Sequence, residues 1–194
     1  MTLTNPIVVL IDTKAYTFND IKHLAKYTDN YIQKRLTNVS DDQIKVNSVL
    51  GCLLRKYLIR KTFNIPYSQQ EIVKENQGKP VLKGYPNIHF NVSHAEHYIV
   101  CILYDKPVGI DIQPIMKYNP KVAEYIFTKH EQDQVAKSIN QDFSYTDIWT
   151  KKESIAKAIG CGIAYLGKAD IKNISTKHIV INDIIINYSI LNEN

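Results

Sequence analysis

The run His97 to Tyr104, HYIVCILY, constrains this chain more than any other stretch. It is apolar almost without interruption, as a strand buried on both faces must be. Asp105-Lys106-Pro107 follows as turn chemistry, with Pro107 fixing its own φ and withdrawing a donor. Then Val108-Gly109-Ile110-Asp111-Ile112-Gln113 alternates with period two, so Ile110 and Ile112 fill one face and Asp111 and Gln113 project from the other. An acid inside such a strand needs a partner. Two oxygen-bearing side chains on one strand face make half of a hard-metal site, and the other half must come from elsewhere in the chain. Upstream, Asn91, Ser93 and His94 place polar groups at the end of a short strand.

Around this centre the pattern predicts alternating helices and strands. Ile7 to Ile11 reads as a buried strand, and Asn19 to Leu36 as a helix with Ile21, Leu24, Ala25, Ile32 and Leu36 on one side. Lys34 and Arg35 in its last turn suit a helix C-terminus. Ser40 with Gln43 is a capping-box signature for a main helix whose apolar face is Val46, Val49, Leu50, Leu53, Leu54, Tyr57 and Leu58. Gly78-Lys79-Pro80 is a punctuated loop. Thr128 with Glu131 is a second capping box, and Asp142 to Ile159 is a helix stopped by Gly160 and Gly162. Ile171 to Leu191 reads as two or more strands. The expected fold is α/β (α+β), with two pseudo-symmetric halves, residues 1–104 and 105–194, and an active site in the cleft between them.

The predicted helix near residue 150 carries the second group of polar side chains. Trp149, Glu153 and Lys157 fall on one stripe, while Ile148, Ile155 and Ile159 fall on another that can face the core. Alone, Glu153 and Lys157 need be no more than an exposed i,i+4 pair worth about 0.3–0.5 kcal/mol. A neighbouring Ser-His pair is poor ground for a hydrolase, whose triad members converge from distant positions. No GxSxG, P-loop or HExxH pattern is present.

Composition narrows the classes. Three cysteines without a CxxC pair argue against zinc and a disulfide framework, and fit a reducing, cytoplasmic setting. Ile7 to Ile11 is too short for a signal peptide or a membrane span, so no membrane association is expected. The formal charge of +5 suits an anionic partner, a phosphorylated small molecule or an acidic protein. The basic residues are scattered, without an aromatic-rich basic stripe, so nucleic acid is not expected.

Taken in order, GKP, FNVSH, VGIDIQ, FTxxE and WTKKESIAKAIG from Gly78 to Gly162 resemble the Sfp-type branch of the 4′-phosphopantetheinyl transferase superfamily. The resemblance implies Mg²⁺-dependent transfer of the phosphopantetheine arm of coenzyme A to a serine hydroxyl of an apo acyl or peptidyl carrier protein, by a monomer. It implies Asp111, Glu153 and Gln113 as metal ligands, with Gln113 standing where the branch usually has a second acid. It implies Glu153, Lys157 and His94 as catalytic groups, and Lys79, Ser93, His94, Lys157 and Lys45 as coenzyme A contacts. Lys45 is the candidate for the 3′-phosphate, ahead of Lys34 and Arg35. The loop from Pro114 to Ile126 is the expected carrier contact. The alternative is a family member that binds coenzyme A or a carrier without catalysis.

Overall fold

A computed structural model describes residues 3–75, 78–168 and 173–192. Two three-stranded antiparallel sheets form its frame. The first has the order β1-β5-β4, from β1 (Ile7–Asp12), β4 (His89–Ala95) and β5 (Tyr98–Tyr104). The second has the order β6-β8-β7, from β6 (Val108–Pro114), β7 (Ile174–Ile181) and β8 (Ile184–Leu191). A small hairpin, β2 (Ile72–Lys74) with β3 (Pro80–Leu82), forms its own ladder and packs Leu82 against Phe90 and Leu103 of the first sheet. The architecture is α+β.

The strand that dominates the sequence is the centre of the first sheet. Ile99 through Leu103 have no exposed surface. On one side Cys101 and Leu103 pack under α3 (Asp42–Phe63) with Ile59 and Phe90; on the other, Val100 and Ile102 meet Val108, Ile110 and Ile112 of β6. The Asp105–Pro107 turn joins β5 to β6, and β4 lies against β6. No ladder links these two strands among the described residues; Asn91 bridges them, its Oδ1 accepting the Ile110 N–H at 3.0 Å. This seam between the sheets is where the polar residues collect.

Helix α6 (Gln141–Ile159) covers the second sheet, with Ile148 and Ile155 inward, as the stripe predicts. Asn140 caps its start, and Gly160, at φ +87°, ends it. Ser154 Oγ meets Ser189 Oγ at 2.7 Å on β8, and Asn187 Nδ2 donates to Asp147 Oδ1 at 2.9 Å. α5 (Lys129–Lys137) opens on the predicted Thr128–Glu131 capping box. Glu131 then also receives the Lys152 ammonium at 2.9 Å, tying α5 to α6.

Three expectations are corrected. Residues 19–36 do not form one helix: α1 (Phe18–Ile21) runs into a 3-10 turn, Lys22–Tyr27, and α2 (Asn30–Leu36) starts afresh after Asp29. The break places Asp29 2.6 Å from the buried Arg55 guanidinium, a contact invisible to local periodicity. The cap of α3 is Asp41, accepting Ile44 N–H, and Gln43 instead donates to Thr13 Oγ1 and Asn47 Oδ1. The segment after Pro114 is no free loop. Met116 N–H donates to Thr146 Oγ1, Tyr118 N–H to Asp142 Oδ1, and Asn119 caps α4 (Pro120–Ile126). Of the predicted C-terminal strands, residues 171–172 lie outside the described residues.

Candidate active site

The site is built where β4, β6 and α6 meet. Along β4, alternation turns Asn91 and Ser93 toward β6, and both are buried. Ser93 Oγ donates to Asp111 Oδ1 at 2.8 Å. From α6 the Lys157 ammonium reaches the same carboxylate oxygen at 2.5 Å and Ser93 Oγ at 3.0 Å. Asp111 is only 3 % exposed, so this cation and hydroxyl are what make its burial tolerable. Gln113, one alternation further along β6, points its amide at Asp111 Oδ2 from 3.4 Å.

The helix can approach this closely because of Gly109. A Cβ there would stand 2.1 Å from Ser154 O and 2.3 Å from Ala158 N, inside the α6 backbone. The glycine in VGIDIQ is therefore the contact that sets the helix over the strand, beside Glu153 and Lys157 along the helix and two residues from Asp111 along the strand.

Electrostatics place Glu153 in the same cluster. Burial holds its carboxyl above the usual carboxylate range; Lys157 pulls it down and the Asp111 charge pushes it up. His94, half-buried, is pushed below the ordinary imidazole value by burial first, then by Arg35 and Lys157, against the pull of Asp111. It is thus a neutral imidazole at neutral pH, with one nitrogen to donate and one to accept.

Of the residues singled out from the sequence, the structure brings together Asp111, Gln113, Ser93, His94, Glu153 and Lys157. Two others go elsewhere. Lys45 pairs with Asp42 at 3.1 Å and lies over the Phe18 ring. Lys79 donates to Ala158 O at 2.5 Å, at the C-terminal end of α6. In place of Lys45, Arg35 faces His94, lining with it a cavity of 240 Å³ between α2, α3 and β4. Periodicity also missed Arg55, which lines the same cavity and is buried against Asp29 with its Nε unpartnered. Its position beside the apolar face of α3 was the available signal.

The donor set can be weighed against a metal. Among the described residues no group of three or more His, Cys, Asp and Glu side chains converges as a cage. Two carboxylates and one amide, all hard oxygens, are instead what Mg²⁺ takes, since it keeps several waters and shares substrate phosphates. Rotation of the Gln113 amide would present its oxygen to the same space. The residues present fit that ion.

Residues 107–190 match the 4′-phosphopantetheinyl transferase superfamily, and residues 17–104 match the family described as 4′-phosphopantetheinyl transferase, N-terminal. Together these matches take in β4 and β5 of the first sheet, all but the last residue of the second, and every residue of the cluster. The chain belongs to the 4′-phosphopantetheinyl transferase superfamily, in its Sfp-type branch. It is 41% identical over 134 residues to the 4′-phosphopantetheinyl transferase gsp of Aneurinibacillus migulanus, covering 66% of this chain and 53% of that protein. It is 29% identical over 119 residues to Sfp of Bacillus subtilis (60% and 53%), and 31% identical over 135 residues to the mouse L-aminoadipate-semialdehyde dehydrogenase-phosphopantetheinyl transferase (61% and 43%). The chain spans about half the length of the curated relatives it matches.

Proposed function

We propose that this protein transfers the 4′-phosphopantetheine arm of coenzyme A to a serine hydroxyl of an apo acyl or peptidyl carrier protein, releasing adenosine 3′,5′-bisphosphate. The observation that carries the reading is the meeting of Asp111, Ser93 and Lys157 within 3.0 Å at the sheet seam, with Glu153 one turn away on the same helix. In the reaction the serine oxygen bonds to the phosphorus nearer the pantetheine arm, and that phosphorus parts from the bridging oxygen of the leaving bisphosphate. Glu153, held above the usual carboxylate range by burial, is suited to take the serine proton. Lys157 and the neutral His94 meet the pyrophosphate oxygens on which charge accumulates. Ser93 orients Asp111 and contacts coenzyme A. Asp111, Glu153 and Gln113 would hold Mg²⁺, which when bound neutralises pyrophosphate charge.

In this reading residues 1–104 and 105–194 are the two halves of the transferase, and a single chain supplies both sides of the cleft, so the working form is a monomer. The cytoplasm suits it: all three cysteines are free thiols, and burial pushes that of Cys101 up to about 12. No helix among the described residues is long and apolar enough to cross a membrane. The positive balance of the chain suits an acidic carrier.

Intact-mass measurement of an apo carrier incubated with the protein, coenzyme A and Mg²⁺ tests the proposal, with Glu153→Ala and a chelated sample alongside. A gain of one phosphopantetheine, lost in both controls, is expected. Coenzyme A binding with no gain on several unrelated carriers would replace transfer by the binding-protein reading.

A further inference from the structure

The GKP loop, matched to the family by its sequence, does something particular here. Lys79 crosses from the β2–β3 hairpin to the end of α6, where its ammonium donates to Ala158 O at 2.5 Å. Its stem lies along Gly160: a Cβ on that glycine would be 3.1 Å from Lys79 Cδ and 3.5 Å from Lys79 Cβ. The loop is itself braced, Glu75 N–H donating to Lys79 O and Gly78 N–H to Glu75 O, both at 2.9 Å. Ala158 is therefore gripped from two directions, by the β6 backbone at Gly109 and by the Lys79 ammonium. Lys157 is the next residue back along the chain, and Glu153 lies just over a turn earlier.

We infer that Lys79 is a positioning residue: it caps the C-terminal end of α6 and so fixes where Lys157 and Glu153 stand over Asp111. A helix end leaves its last carbonyls unpartnered, and a cation placed there satisfies one of them and complements the helix dipole. Burial lowers the pKa of Lys79, only Glu75 opposes that, and His89, on the same 440 Å³ cavity, is itself pushed down by burial and by Lys79. This role rests on the transferase reading for its effect on rate, but the contact itself does not.

Two measurements on the full chain decide it. The first is steady-state transfer by Lys79→Met, which keeps most of the stem and loses the ammonium. We expect kcat to fall at least tenfold with KM for coenzyme A within threefold, and Lys79→Arg, which can still donate to the carbonyl, to recover most of the loss. A tenfold rise in KM with kcat unchanged would make Lys79 a direct coenzyme A contact and overturn the assignment, as would full activity in Lys79→Met. The second is amide hydrogen exchange at Gly160 and Cys161, whose N–H groups both donate to Ala156 O. Exchange should quicken at least fivefold in Lys79→Met and return toward the wild-type rate in Lys79→Arg. Unchanged protection overturns the cap whether or not the protein loads a carrier. If no carrier is loaded by the wild type, the transferase reading falls and the exchange result still decides the contact. Should Lys79→Met not fold, Lys79→Gln is read by the same two measurements.

Discussion

His94 feels two cations, Arg35 and Lys157, and one opposing carboxylate, Asp111. Burial and the cations win, so its folded pKa lies below the ordinary 6.5. Unfolding lets this imidazole take up a proton more readily. The stability it lends is therefore complete above 6.5 and is lost as pH falls through that value toward the lowered folded one. Arg35→Gln removes one of the two cations and should raise the His94 pKa in metal-free protein. An NMR titration of the imidazole that shows no upward movement would separate Arg35 from this site. Gln113 makes a different residue-scale prediction. An amide gives Mg²⁺ an oxygen without a charge, so Gln113→Glu should lower the Mg²⁺ concentration needed for half-maximal transfer severalfold. Identical requirements in the two proteins would remove Gln113 from the metal's surroundings. That Asp111 and Lys157 come together was legible from motif order, because both sit in elements that form as the pattern predicts. Arg35 and Lys45 exchange importance because which helix faces His94 depends on the break at Asp29. At that break Asp29 pairs with Arg55, 26 residues away in the chain.

Helix α6 carries both Glu153 and Lys157, and it is held at several points. Gly109→Ala puts a methyl group into the helix backbone at Ser154 O and Ala158 N, so the helix must move. Overpacking of this kind costs about 1–3 kcal/mol, and a misplacement near 1 Å can slow a reaction about 100-fold. The urea midpoint and the transfer rate should therefore fall together in Gly109→Ala; a wild-type rate would mean the close approach is not what aligns the site. Glu131 holds the same half of the helix from α5, through Lys152. Its carboxylate accepts from Thr128 N at 2.7 Å and pairs with Lys152, which is 12 % exposed at its side chain. Glu131→Ala loses both the capping box and the pair, and a loss of about 1–2 kcal/mol is expected, read from thermal unfolding. Both capping features of α5 were visible in four residues of sequence. The Lys152 pair was not, because it joins different helices.

Across the whole molecule, the two sheets are joined at a seam in which polar side chains replace a ladder. Asn91 carries that join by accepting the Ile110 N–H, and Asn91→Ala would leave a buried donor unpaired at a cost of about 1–3 kcal/mol. The alternation of HFNVSH and VGIDIQ foretold which residues point from each strand. It could not foretell that the two strands lie edge to edge in separate sheets, since register and neighbour are fixed by the Asp105–Pro107 turn and by β8 pairing along β6. We place phosphopantetheine transfer at this seam, closed by α6. The most direct test compares coenzyme A binding with single-turnover loading of an apo carrier in Glu153→Gln. Binding within about tenfold of wild type with loading slowed at least 100-fold is the predicted result, about 2.7 kcal/mol at the transition state. Loading at the wild-type rate would place the chemistry away from α6 and contradict the account.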